Sequence, residues 1–272
     1  MKNVLSTAIG LLAISAVPAA AADLPVKARP MVPVVTAYNW SGCYIGGNVG
    51  GKWARTSGSV DIGPTGTGVG LGAPAGVLFA SETSATPIFG GQVGCNYQPV
   101  GSNWVCGVEG DVDWHRWSRS NTLGGTVPPP FVANDVFDFR SRWQASLRGR
   151  IGYAWDRWML YATGGAAATN VEVGTNFIAV GIFPATVLSD SKTVWGPTVG
   201  LGFEYAFWSN LSFGLEGRYS WYGSKAYNGG LVATVFTPNI GAAGGTFTFA
   251  PATQTVKLET FEIMAKLNFK IF

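Results

Sequence analysis

Charge is scarce in this 272-residue chain: Asp, Glu, Lys and Arg make up 12% of it, about half the usual share of soluble proteins. The net charge of +3 is too small to form the basic face a nucleic-acid partner requires. Histidine occurs once, at His115, and cysteine three times, with no metal-ligand spacing around them. No metal or cofactor is therefore expected. After the N-terminal region no run of roughly 18 apolar residues occurs, which excludes a transmembrane helix.

Aromatic residues and glycine are what the chain has in quantity. Aromatics reach 13%, including 11 tryptophans, and there are 38 glycines. The first residues combine Lys2, an apolar stretch from Val4 to Val17 and the small run Ala20-Ala21-Ala22. That is the pattern of a secretory signal peptide (1–22), cleaved after Ala22. Residues 23–38 carry three prolines and no period, and read as an extended periplasmic linker. An exported, apolar, aromatic chain without helices points to a β-barrel of an outer membrane over residues 39–272.

From Trp40 onward the hydrophobic period is two, and eight strands can be laid out. They cover about 40–54, 87–97, 103–116, 139–155, 158–170, 194–207, 211–222 and 256–271. Strand three sets Trp104, Val108, Val112 and Trp114 against Glu109, Asp111, Asp113 and His115. Strand four sets Trp143, Leu147, Ile151, Tyr153 and Trp155 against Arg142, Gln144, Ser146, Arg148 and Arg150. Short connections follow strands two, four and six, and long Gly/Thr/Pro-rich ones follow the odd strands. The predicted fold is all-β: an eight-stranded antiparallel up-and-down transmembrane barrel with short periplasmic turns and long extracellular loops.

The segments "NWSGCYIGGNVGG", "VEGDVDW", "LRGRIGYAWDRWMLYATGG" and "VGLGFEYAF" resemble the outer membrane immunogenic proteins. These are small porin-like surface barrels of the eight-stranded outer-membrane superfamily of Gram-negative bacteria. The resemblance implies a surface-exposed, antigenic protein of the cell envelope with no assigned catalytic residues. One departure is the C-terminus, "LNFKIF", where Phe272 falls out of phase with the outward set that ends at Ile271. The expected partners are outer-membrane lipid, lipopolysaccharide and the barrel-assembly machinery, and the expected state is a monomer.

The inward parity collects Glu109, Asp111, Asp113, Glu204, Glu216 and Glu262 with Arg142, Arg148, Arg150, Arg218, Lys266 and Lys270; Lys52 falls near the rim. An eight-stranded barrel is just wide enough for side chains to fill it, so such charges must pair. Six against six favours an ion-pair network over a conducting path or a catalytic pair of carboxylates. His115 is expected to face inward at the rim. A lipid hydrolase built on His115 and the nearby Ser118 would lack an orienting acid. Cys95 and Cys106 share outward parity and would meet across a turn centred near Val100–Gly101, so they are the candidate disulfide, with Cys43 unpaired. Trp104, Trp155, Trp158 and Trp208 are expected in a periplasmic aromatic girdle, and Trp53, Trp114, Trp117 and Trp221 in an outer one. Two functions follow: a structural surface antigen with at most weak porin-like activity, or an adhesin-like protein whose extracellular loops bind a ligand or host factor.

Overall fold

The computed structural model describes residues 38–62, 76–122, 136–177, 186–238 and 245–271. The expected signal peptide, nearly all of the linker, and Phe272 lie outside them. Eight strands are present: β1 (Gly42–Ile62), β2 (Gly76–Tyr97), β3 (Trp104–Thr122), β4 (Val136–Trp155), β5 (Trp158–Phe177), β6 (Thr186–Ala206), β7 (Leu211–Pro238) and β8 (Gly245–Lys270). Each pairs antiparallel with the next, and β1 pairs with β8 to close the barrel.

Alternation puts polar side chains inside and apolar ones outside. In β4, Leu147 is 69% exposed while its neighbour Arg148 is 1% exposed. In β8, Phe261, Ile263, Leu267 and Phe269 face out; Glu262, Met264, Lys266 and Asn268 are buried. A wall with this inside-out polarity suits hydrocarbon, and closure leaves no unpaired strand edge.

The strands are longer than alternation in the sequence suggests. They run from 19 to 28 residues, whereas crossing a bilayer takes about 9–11. Segments expected in long loops, "SGSVDI" and "GTFTFAPATQ", belong to β1 and β8. A ladder that has already begun propagates through glycine-rich stretches when its partner strand continues alongside, as Phe236 and Phe247 do in the β7–β8 register. The short turns keep to their expected places. Asp156 takes a left-handed φ of 53° between Trp155 and Trp158, a conformation Asp tolerates.

Two irregularities set side-chain direction. The β3–β4 register shifts between Trp114 and Trp117, and the β4–β5 register shifts between Arg140 and Gln144. The first sets His115 and Arg116 of β3 against Arg142 of β4. The second sets Ser141, Arg142 and Trp143 of β4 against Asn170 and Val171 of β5, so that β4 carries one extra residue there, a β-bulge. The amides this frees are satisfied: Asn170 Oδ1 accepts from the backbone N–H of Arg142 at 2.9 Å and of Trp143 at 3.1 Å. Below the bulge even-numbered residues face inward; above it Ser141, Phe139 and Phe137 do. In β7 the second irregularity lies between Trp221 and Gly223, where Gly223 takes a φ of 67°.

The lumen is filled in three layers. At the short-turn end Trp40, Val105, Ala154, Met159, Tyr161 and Ala206 form an apolar cluster, with Tyr38 against it. A band of charged and polar side chains occupies the middle. Toward the long connections Trp117, Phe137, Phe139, Val171, Val173, Val194, Tyr222, Tyr227, Val256 and Leu258 make a second apolar cluster.

Candidate functional site

Arg148 sits at the centre of the polar band because β4 alternation aims it inward, opposite Glu109 across the β3–β4 ladder. Its Nη2 donates to Glu109 Oε1 and Asp111 Oδ1, each at 2.7 Å. Its Nη1 donates to Glu216, and its Nε to Ser146 Oγ at 2.9 Å. Arg218 repeats the arrangement from β7, reaching Glu262 Oε2 at 2.6 Å, Asp111 Oδ1 at 2.7 Å and Asp113 Oδ2 at 2.9 Å. Arg150 bonds Glu204 Oε2 at 2.8 Å and lies over the Tyr161 ring at 4.0 Å. Lys266 bridges Glu109 at 2.5 Å and Glu216 at 3.0 Å. The planar guanidinium can serve several carboxylates at once, which a dry and narrow interior rewards.

Neutral side chains serve other carboxylate oxygens of the band, while Asp111 Oδ2 and Glu262 Oε1 accept no hydrogen bond. Tyr44 donates to Glu109, Tyr161 to Glu216, and Ser212 and Asn268 to Glu204. Asn48 donates to Asp113 and Gln92, and Gln144 to Asp113 and Glu262. All eight strands thus contribute to one connected network. Glycines make room for it. A Cβ on Gly94 would collide with the Tyr44 hydroxyl, and one on Gly202 would lie 2.6 Å from the Tyr161 ring. Each tyrosine lies across its ladder from that glycine.

Glu109, Asp111, Asp113, Arg148, Arg150, Glu204, Glu216, Arg218, Glu262 and Lys266, the ten of the twelve sequence-derived residues with inward parity throughout, meet in the band. The other two do not. Arg142 lies past the bulge, faces outward and pairs with Glu172 at 3.6 Å. Strict alternation placed it inside because a one-residue insertion is invisible to a period of two. Lys270 is at the short-turn rim, where its Nζ donates to Asn39 O at 2.9 Å. Lys52 is not at the rim but buried, bonding Gln144 Oε1 at 2.6 Å with Glu262 at 3.8 Å. Six carboxylates therefore meet five cations in the band, not six. Tyr44, Asn48, Gln92, Gln144, Tyr161 and Asn268 were missed by attention to charge alone; their inward parity was the available signal.

The disulfide is Cys43–Cys95, and Cys106 is free and exposed. This overturns the pairing of Cys95 with Cys106. The β2–β3 turn closes one residue later than expected, so Cys95 lies opposite Val108, and Cys106 opposite Tyr97. Cys43 and Cys95 are directly opposed in the β1–β2 register, with Cα atoms 4.0 Å apart.

His115 faces inward and is buried, its Nε2 2.9 Å from Ser141 Oγ and 3.4 Å from Lys52 Nζ. Its Nδ1 has no hydrogen-bond partner, so no carboxylate orients the ring. Ser118 lies on the opposite face of the wall, exposed. Neither serine completes a catalytic triad. Among the described residues no group of His, Cys, Asp and Glu has the geometry of a metal site.

Trp104, Trp155, Trp158 and Trp208 are exposed around the short-turn end, and Trp53, Trp114 and Trp221 at the other edge of the apolar belt. Trp158 packs on Tyr205 with ring centroids 4.6 Å apart, and Trp221 on Tyr219 at 4.6 Å. Trp117, expected with the outer set, instead points into the upper lumen. Trp195, 65% exposed, stands in the outer ring.

Sequence comparison with known proteins agrees with this geometry. The family described as outer membrane protein beta-barrel domain matches residues 9–269. The chain is 30% identical to the 22 kDa outer membrane protein of Rhizobium leguminosarum over 72% of this chain and 71% of the relative. It is 27% identical to the 25 kDa outer-membrane immunogenic protein of Brucella abortus over 84% of this chain and 88% of the relative. Among solved structures, that of Ail, the attachment invasion locus protein of Yersinia pestis, aligns with 84% of this chain and 99% of its own. The identity is 13% and the TM-score 0.37.

Proposed function

The chain belongs to the outer membrane protein β-barrel family, and from that premise we propose that it serves as a structural and surface-antigen barrel with at most weak porin-like activity. The observation that carries this reading is the lumen. A network of ion pairs and hydrogen bonds drawn from all eight strands lies between two apolar layers, which leaves no continuous aqueous path for solutes among the described residues. The paired charges are braces, because an open pore would hydrate them and leave them free to move. A structural role also fits a His115 without an orienting acid. Relatives that bear the name outer-membrane immunogenic protein support the antigenic part of the proposal.

Planar-bilayer recording of the refolded barrel tests it. The expected result is no steady porin-scale conductance. A stable open channel in the unmodified protein would overturn the closed-lumen reading.

A further inference from the structure

The outside of the wall carries a charged feature that the lumen does not explain. On β3 and β4 the outward positions change, just past Trp114 and Trp143, from apolar residues to Arg116, Arg140 and Arg142. These arginines and Ser118, all outward, line a cleft of about 340 Å³ with Trp117 and Ser141, whose own side chains turn to the lumen. The β4 bulge creates the cleft by turning Arg140 and Arg142 away from the lumen. Their guanidiniums are only loosely held: Arg142 is 3.6 Å from Glu172, and Arg140 is 3.9 Å from an Asp138 that already accepts from Ser120. Arg116 has no ion pair among the described residues. Three cations thus face two distant carboxylates at the outer edge of the apolar belt.

Below and beside this cleft the lipid-facing wall is unusually shallow. Gly149 and Gly164 are opposed in the β4–β5 ladder, flanked by Ala145, Ala162 and Ala166. A Cβ built on Gly164 would meet nothing within 4 Å. Leu147 and Ile151 on one side and Val199 and Leu201 on the other stand up as walls. The result is a trough one strand wide that runs toward the arginines.

We propose that this wall binds one outer-leaflet lipid with a phosphorylated headgroup. Arg116, Arg140 and Arg142 hold the phosphate, and an acyl chain lies in the Gly149–Gly164 trough. Guanidinium forks match phosphate oxygens and bind them by short charge-assisted hydrogen bonds. A chain lying over glycine and alanine gains close contact that bulky side chains would prevent. The proposal rests on the outer-membrane assignment, which supplies the lipid and the height of the arginines.

The test is native mass spectrometry of the refolded full barrel in neutral detergent, titrated with purified lipid A. One lipid A per barrel is expected. R116Q/R140Q/R142Q should weaken it by about tenfold or more. G164L should weaken it too, since its side chain occupies open space in the trough. The control K192Q/K225Q/K257Q removes equal charge from exposed positions on β6, β7 and β8 and should leave binding unchanged. Unaltered binding in the arginine variant, or an equal loss in the control, would overturn the site. Loss with the arginine variant but not with G164L would overturn the seating of the acyl chain in the Gly149–Gly164 trough, since lipid A would then be held by its phosphates alone. Heat-modifiable mobility on gels, retained by every variant, separates these outcomes from failure of the barrel itself.

Discussion

At the scale of single residues, burial decides what a charge is worth. Arg148 is 1% exposed and serves three carboxylates, whereas Arg142 is mostly exposed and meets one. R148A strands Glu109, Asp111 and Glu216 with less than their full complement of positive charge, and is expected to cost about 3–5 kcal/mol. R142A is expected to cost at most about 1 kcal/mol. Urea-gradient gels that follow the folded, fast-migrating band will rank the two; equal losses would contradict the placement of Arg142 on the outer wall. The cysteines give a second residue-scale prediction. Denatured but unreduced protein should take up one maleimide, at Cys106, and reduced protein three. Uptake of one label that survives C106S would overturn the Cys43–Cys95 bond.

At the scale of elements, the β4 bulge determines both the lumen and the outer wall. It turns Phe137, Phe139 and Ser141 inward and sends Arg140 and Arg142 out. Asn170 keeps the bulge in place by accepting two backbone amides. N170A leaves those donors without a protein partner and is expected to destabilise the barrel by about 1–3 kcal/mol, read as a lower urea midpoint. An unchanged midpoint would show that lipid headgroups or water replace Asn170. Close tyrosine–glycine pairs make a second element-scale prediction. G94V should expel Tyr44, removing its bonds to Glu109 and Arg150. The loss of folded band should exceed that of G47V, because Gly47 has an open outward face.

At the scale of the whole molecule, the layered lumen separates stability from closure. Trp40 closes the short-turn end with its ring buried and its backbone N–H donating to Gln98 Oε1 at 2.9 Å. W40A should cost about 3–5 kcal/mol, as expected for removing a buried tryptophan, yet leave the barrel non-conducting, since the ion-pair layer above it is intact. Bilayer recording alongside a urea titration checks both halves. Porin-scale conductance in W40A would show that the apolar layer, not the network, closes the lumen.

Much of this was legible in the chain. Alternation around Val108–Trp114 and Leu147–Trp155 states which face meets lipid, because a strand's period of two is local. The alternation of short and long connections states the topology. The ion-pair network was readable for the same reason: Glu109 and Arg148 belong to adjacent strands joined in sequence. Three features needed the tertiary structure. The disulfide depends on a β1–β2 register across a long connection, which no local pattern encodes. The outward turn of Arg142 depends on one inserted residue, which alternation cannot see. The apolar layer from Phe137 to Leu258 depends on strands continuing beyond the lipid, which glycine-rich sequence conceals. Side-chain direction is a property of each strand by itself; register, bulges and strand length are settled only when the neighbouring strands close the ring.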